Sequence, residues 1–201
     1  MKVRNNSLSK FCGWKNIGTV FLFCALMASV SFAQTFTSLA GFNGPNGEQP
    51  LSTLVQGIDG SFYGTADLGG SINQKESYGT IFKITSAGVL TAHSMCNQAV
   101  CTQGLYPLGG LVLAADGNFY GTTANGGGNG AGDGDGTIFK ITPGGTLTTL
   151  HSFANSDGMI PLDRWFKAAT GPCYGTTSEG GIQGNGAVFK SHAHGRPYHA
   201  S

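Results

Sequence analysis

The chain has 201 residues, with 11 Lys and Arg against 10 Asp and Glu, and 34 glycines, more than twice the usual share of about 7%. Only 10% of residues are charged, which excludes helical bundles and coiled coils, and a net charge of +1 offers no basic stripe for nucleic acid. Hydrophobic residues at 40% and aromatics at 10% exclude a disordered chain, leaving a turn-rich all-β protein.

Residues 1–33 read as a targeting segment. Lys2, Arg4, Lys10 and Lys15 form a positive region without an acidic residue, Ile17 to Val30 is short and apolar, and Ser31-Phe32-Ala33 places small residues at −3 and −1. That layout predicts a signal peptide cut before Gln34, with export to the cell exterior or periplasm and no membrane span after cleavage. An uncleaved anchor is the alternative, but the apolar run is shorter than the ~20 residues a spanning helix needs. Beyond residue 33 there are seven basic and ten acidic residues, a net charge of −3. Three cysteines remain there, and Cys96 and Cys101 are spaced to close a small loop as a disulfide in an exported protein.

From residue 50 the chain repeats itself. Pro50-Leu51 and Asp59-Gly60-Ser61-Phe62-Tyr63-Gly64-Thr65 return as Pro107-Leu108 and Asp116-Gly117-Asn118-Phe119-Tyr120-Gly121-Thr122, an offset of 57 residues. Gly79-Thr80-Ile81-Phe82-Lys83-Ile84-Thr85 returns at Gly136–Thr142, and Leu90-Thr91-Ala92-His93 returns in longer form at Leu147–His151. A third unit carries Pro161-Leu162, Tyr174-Gly175-Thr176-Thr177 and Phe189-Lys190. The units run approximately 50–106, 107–160 and 161–190. A period this long points to a stacked repeat architecture.

Each unit resolves into four short strands. In the first, Leu51–Gly57 ends at the Asp59-Gly60 turn, Phe62–Thr65 is aromatic and β-branched, Thr80–Thr85 alternates, and Ala87-Gly88 turns the chain into Val89–His93. Four antiparallel strands in this span make one propeller blade, which predicts a partial β-propeller of about three four-stranded blades. A β-solenoid is the rival architecture. Phe62, Tyr63 and Phe82 are expected to pack between blades, and Gly64 and Gly121 to let inner strands approach a central channel. The fragment Phe36–Phe42 reads like a fourth strand such as Leu150–Phe153, able to fill a gap in the last blade. Three blades would still make too tight a ring, so an open arc with exposed blade edges is expected, prone to self-association.

The coupled motifs DG-x-FYGT, GG and GTIFKIT-x-x-G-x-LT resemble the GloVer tandem repeats, found in exported bacterial proteins that often carry variable C-terminal anchor domains. The resemblance covers about 37–190. It implies a propeller-like extracellular array with no established activity, and it brings no catalytic residues. No sorting or anchor motif is recognisable at the C-terminus, in contrast to many relatives.

Two stretches depart from the repeat, 164–173 and the atypical tail 191–201, which is expected to be disordered. Read one frame over with free codon choice, Trp165–Cys173 gives Val-Val-Gln-Gly-Arg-Asp-Gly-Thr-Phe, and Ser191–Ser201 gives Val-Thr-Pro-Thr-Gly-Ala-Leu-Thr-Met-Leu. Both are repeat-like, so a compensated frameshift at 164–173 and an uncorrected one after 190 are expected, making the chain a truncated product. On this reading His192, His194 and His199 form no metal site, Trp165-Phe166 is no ligand platform, and Cys173 holds a slot that elsewhere holds Phe.

Few residues suit chemistry. Asn129, Asp133 and Asp135 lie in a Gly-rich stretch whose oxygens suit Ca²⁺, although the bland reading is an extended loop between the second and third strands. Asp59 and Asp116 recur as turn formers, and His93 and His151 recur at strand ends, so both pairs are structural first. No catalytic residue and no other cofactor is expected. The leading reading is a non-catalytic extracellular binding module for a glycan or cell-surface protein, recognised by the loops Gly69–Gly79 and Gly126–Gly136, which are expected to vary in length while the strands repeat. A structural cell-surface array and a carbohydrate-active or quinoprotein-like propeller enzyme are the alternatives.

Overall fold

The computed structural model describes residues 35–70, 77–96, 101–128, 134–162, 166–167 and 172–191. The chain divides into residues 1–37, of which 35–37 are described and irregular, and a compact unit of 38–201. Residues 1–33, expected to be a signal peptide, and the residues from 192 onward lie outside the described residues. No described helix is long and apolar enough to cross a membrane.

Among the described residues, eleven strands form three antiparallel sheets. The first contains β1 (Val55–Gln56), β2 (Phe62–Ala66), β3 (Thr80–Ile84) and β4 (Leu90–Ser94) in chain order. The second contains β5 (Val112–Leu113), β6 (Phe119–Thr123), β7 (Thr137–Ile141) and β8 (Leu147–Ser152), again in order. The third runs β11-β10-β9, from β9 (Phe166–Lys167), β10 (Cys173–Thr177) and β11 (Ala187–Ser191). Each sheet is an antiparallel meander, as in a propeller blade, rather than the parallel coil of a solenoid. The three do not close into a ring, so the fold is all-β and partially propeller-like.

Several boundaries differ from the sequence reading. The first strand of each unit is only two residues long. The third sheet has three described strands, not four. Ser191, assigned to the tail, ends β11 and pairs with Cys173. Phe36–Phe42 contains no strand and fills no gap in the third sheet; Phe42 instead meets Phe82 of the first sheet edge-on at 4.9 Å. In the anomalous stretch, Phe166 and Lys167 pair with Tyr174 and Cys173, the register that Val55 and Gln56 adopt on Tyr63 and Phe62.

Alternation along the strands assigns the faces. Tyr63 and Ile81 share one face of the first sheet, while Phe62, Gly64 and Phe82 share the other. The first face, with Met95, packs on Leu111, Phe119, Phe139 and Ile141 of the second sheet. Tyr63 stacks on Phe119 at 4.1 Å. The second sheet repeats the arrangement, with Tyr120, Ile138 and Phe153 packing on Cys173 and Phe189 of the third. Cys173 thus occupies the slot of Phe119, because Cys173 opposite Ser191 matches Phe119 opposite Ile141. Burying each large side chain at these joints contributes about 1.5–3 kcal/mol.

The glycines after the aromatic pairs have a different cause from the one expected. Gly64, Gly121 and Gly175 stand opposite Phe82, Phe139 and Phe189 across the strand pairs. Each Phe ring lies over its glycine, filling the space a Cβ would need. The glycines therefore make room for a ring within the sheet rather than for an approach to a channel.

Candidate functional site

The loops β2–β3, β6–β7 and β10–β11 emerge at one end of the sheets, together with the segments leading into each sheet. Those segments follow one pattern: Gly47-Glu48-Gln49-Pro50, Gly104-Leu105-Tyr106-Pro107 and Gly158-Met159-Ile160-Pro161. In each, the second residue bridges to the loop, pairing Glu48 with Leu68, Leu105 with Asn125 and Met159 with Glu179. The residue before proline is left-handed in all three, with φ of 53°, 57° and 53° at Gln49, Tyr106 and Ile160. For residues other than Gly this conformation is uncommon, and for β-branched Ile160 it is strained.

Backbone bonds on both sides hold Tyr106 and Ile160 in place, and one on the carbonyl side holds Gln49. Their carbonyls accept from the N–H groups of Asp67, Ala124 and Ser178, each just after the second strand, at 3.2, 2.9 and 3.2 Å. The N–H of Tyr106 donates to Tyr78 at 3.0 Å, and that of Ile160 to Asp135 at 2.9 Å. One strained residue thereby ties the loop of one sheet to the start of the next, which is how such a conformation persists. The recurring Pro50, Pro107 and Pro161 were visible in the sequence; the left-handed residue before them was not.

Threonine hydroxyls fix the stems of the loops. Thr123 and Thr137 share a hydrogen bond of 2.8 Å, and Thr137 also donates to the Gln103 carbonyl at 3.1 Å. Thr80 donates to the Asn46 carbonyl at 3.3 Å, and Thr177 to that of Glu179 at 3.1 Å. Cys96 and Cys101 form a disulfide, Cα to Cα 5.2 Å, in the connection between the first and second sheets. Contrary to the expectation of varying length, loops 67–79 and 124–136 are equally long and differ only in sequence, because both span the same junction, while 178–186 is shorter.

Of the three candidate Ca²⁺ ligands, Asn129 and Asp133 lie outside the described residues. Asp135 is half-buried beside the loop stem, and its carbonyl serves the bond to Ile160. Among the described residues, no group of three His, Cys, Asp or Glu is placed to hold a metal ion.

The opposite end carries the tight turns. Gly60 and Gly117 are left-handed, with φ of 76° and 77°, and the aspartates before them cap the turn. Asp59 accepts from the Ser61 N–H at 3.2 Å and from the Tyr63 hydroxyl at 2.9 Å, and pairs with Lys83 at 2.8 Å. The Lys83 ammonium, which also lies over the Tyr63 ring, holds the Asp59 carboxyl down at about 2. Asp116 accepts from Tyr120 at 2.8 Å and from the Asn118 N–H at 3.1 Å. Burial pushes Asp116 up, but these hydrogen bonds outweigh it and leave its pKa below the usual range. The phenols shift the other way: burial and the neighbouring carboxylate push Tyr63 and Tyr120 up.

The recurring histidines are placed differently from each other. His93 is exposed, its ring against Gly145 in the β7–β8 turn. His151 meets Asp157 at 2.9 Å, whose other oxygen accepts from the Ala154 N–H at 2.8 Å. The extra residue in Leu147–His151 is a β-bulge at Leu150.

Three copies of the left-handed residue–proline junction and two of the Asp–Tyr turn show that the sequence period is a structural period. The family model of the Gloeobacter/Verrucomicrobia repeat matches residues 7–189. The chain belongs to this family. Comparison with curated proteins finds no match. In the terms of the Gloeobacter/Verrucomicrobia repeat, one unit is one antiparallel sheet plus the junction that locks its loop to the next sheet.

Proposed function

We propose that the protein is an exported, non-catalytic binding module that recognises a glycan outside the cell through the loop end of its sheets. The supporting observation is the contrast between stem and tip. Three loops share one set of backbone and threonine anchors, while their sequences and, in 178–186, their length differ. Fixed stems with variable tips suit recognition on a rigid scaffold. Asn125, Asp135, Glu179 and Asn185 lie on these loops. Amide and carboxylate groups of this kind bond the hydroxyls of sugars.

The acidic side chains at the other end are engaged in turn geometry: Asp59 and Asp116 cap hairpins and hold tyrosines. This supports a scaffold role for them over acid–base work. The test is a glycan array probed with the full chain, alongside an assay of polysaccharide hydrolysis. Saturable binding without turnover is expected. Hydrolysis would favour a propeller-type enzyme, and binding to no glycan would leave a surface protein or a purely architectural role.

A further inference from the structure

The two internal joints between sheets use the same parts, and the chain carries both halves of a third. Tyr63 and Ile81 of the first sheet and Tyr120 and Ile138 of the second form the outgoing face of each joint. The third sheet has the equivalent face at Tyr174 and Val188, and there it is open. Tyr174 is 39% and Val188 76% exposed, where Tyr120 and Ile138 are 1% and 0%. The first sheet carries the receiving face, and Leu54 on it is 51% exposed where its counterpart Leu111 is 0%.

Ser38–Phe42 lies on that receiving face along the path of a fourth strand from a preceding sheet. Phe42 meets Phe82 at 4.9 Å as Phe153 meets Phe189 at 5.1 Å. The Leu39 carbonyl lies against Gly88 in the β3–β4 turn, and the His93 ring lies against Gly145 in the equivalent β7–β8 turn, so each turn is met by the strand path of the preceding sheet. Yet Ser38–Phe42 belongs to no sheet. The third sheet is the converse: its described order ends at β11, whereas β3 and β7 continue to β4 and β8.

We infer that these are two halves of one joint made between copies of this chain. The third sheet of one copy docks on the first sheet of the other, and β11 pairs with that copy's Ser38–Phe42. Tyr174 and Val188 then cover the receiving face as Tyr120 and Ile138 do inside the chain. The register of β3 on β4 sets Val188 opposite Ala40 and Lys190 opposite Ser38. Strand addition at a sheet edge supplies main-chain bonds, and the apolar face supplies burial. Two copies joined reciprocally give six sheets, within the ~4–8 of closed propellers. The assembly is therefore a closed dimer rather than an open fibre.

The test uses the full chain in analytical ultracentrifugation, where twice the monomer mass is expected at micromolar concentration. Val188→Lys changes a residue exposed in the single chain, so it should leave the circular dichroism spectrum unchanged and weaken dimerisation by at least about tenfold. Ala40→Cys and Val188→Cys chains, made separately and mixed under oxidation, should give a disulfide-linked pair of unlike chains. A monomer at every concentration overturns the inference, whether its own residues 192–201 or its own Ser38–Phe42 cover β11. A dimer indifferent to Val188→Lys, or one that yields no mixed disulfide, overturns it equally.

Discussion

Phe139 lies across Gly121, its partner on the neighbouring strand, so closely that a Cβ on the glycine would come within 2.5 Å of the ring. The same relation joins Phe82 with Gly64 and Phe189 with Gly175, which explains why Phe-Tyr-Gly-Thr and Ile-Phe-Lys travel together through the sequence. Gly121→Ala forces a fully buried ring out of its place. It should destabilise the protein by about 1–3 kcal/mol in chemical denaturation. Phe139→Ala empties the joint between sheets and should cost about 3–5 kcal/mol. The two losses should be strongly non-additive in the double variant, since the ring that Gly121→Ala displaces is then absent.

Backbone handedness gives a second pair of outcomes with opposite sign. Gly60 has φ of 76° and open space where a Cβ would go, so Gly60→Ala meets no clash and loses only the left-handed preference, about 1–2 kcal/mol. Gln49 has φ of 53° and is exposed, so Gln49→Gly relieves comparable strain. The added freedom of the unfolded glycine returns part of that gain, leaving a net stabilisation of about 0.5–1 kcal/mol. Thermal unfolding of the two variants reads both signs.

Acid should loosen the turn end. Asp59 titrates at about 2 in the folded chain, well below an ordinary aspartate, so its ion pair stabilises the fold above about pH 4 and is lost as pH falls toward 2. Asp116, also lowered, acts in the same direction. Asp67 opposes them. Burial raises its pKa, so its contribution falls as pH rises through that higher value. Stability measured from pH 6 down to 2 should therefore drop in the acid limb, and Asp59→Asn should flatten that limb.

Much of the repeat was legible because its signals are local. Asp59-Gly60 and Ala87-Gly88 mark turns, and alternation in Thr80–Ile84 marks a strand, so strand order followed from spacing. The joints were legible only in part. That Tyr63 reaches Phe119 in the next sheet follows from the blade reading, but that Phe82 covers Gly64 depends on cross-strand register, which no window of sequence states. The left-handed Gln49, Tyr106 and Ile160 carry no residue signature, because tertiary backbone hydrogen bonds, two at Tyr106 and Ile160, impose the conformation on ordinary side chains. The candidate loops stood out as segments between repeating strands, although the length difference expected of the first two is absent, and their anchoring by Thr80, Thr123 and Thr177 required the fold.

The anomalous stretch offers a repair experiment. Phe166 and Lys167 keep the register of Val55 and Gln56, and Tyr174 lies where Tyr63 and Tyr120 meet their aspartates. Replacing residues 165–173 by Val-Val-Gln-Gly-Arg-Asp-Gly-Thr-Phe includes Thr170→Asp and Cys173→Phe, and so supplies both the turn aspartate and the buried ring. A restored hydrogen bond to a charged group contributes about 1.5–3 kcal/mol, so the melting temperature should rise. An unchanged or lower melting temperature would contradict the frameshift reading of this stretch. Sequencing the gene across codons 164–173 checks the same point at its source.

The claim that recognition resides at the loop end is tested most directly by titrating the full chain with the glycan that an array selects. The same titration is then run on the variant carrying Asn125→Ala, Asp135→Ala, Glu179→Ala and Asn185→Ala. The account predicts saturable binding by the parent and at least about a tenfold loss in the variant, with unchanged melting behaviour. Equal affinity in the two proteins would contradict it.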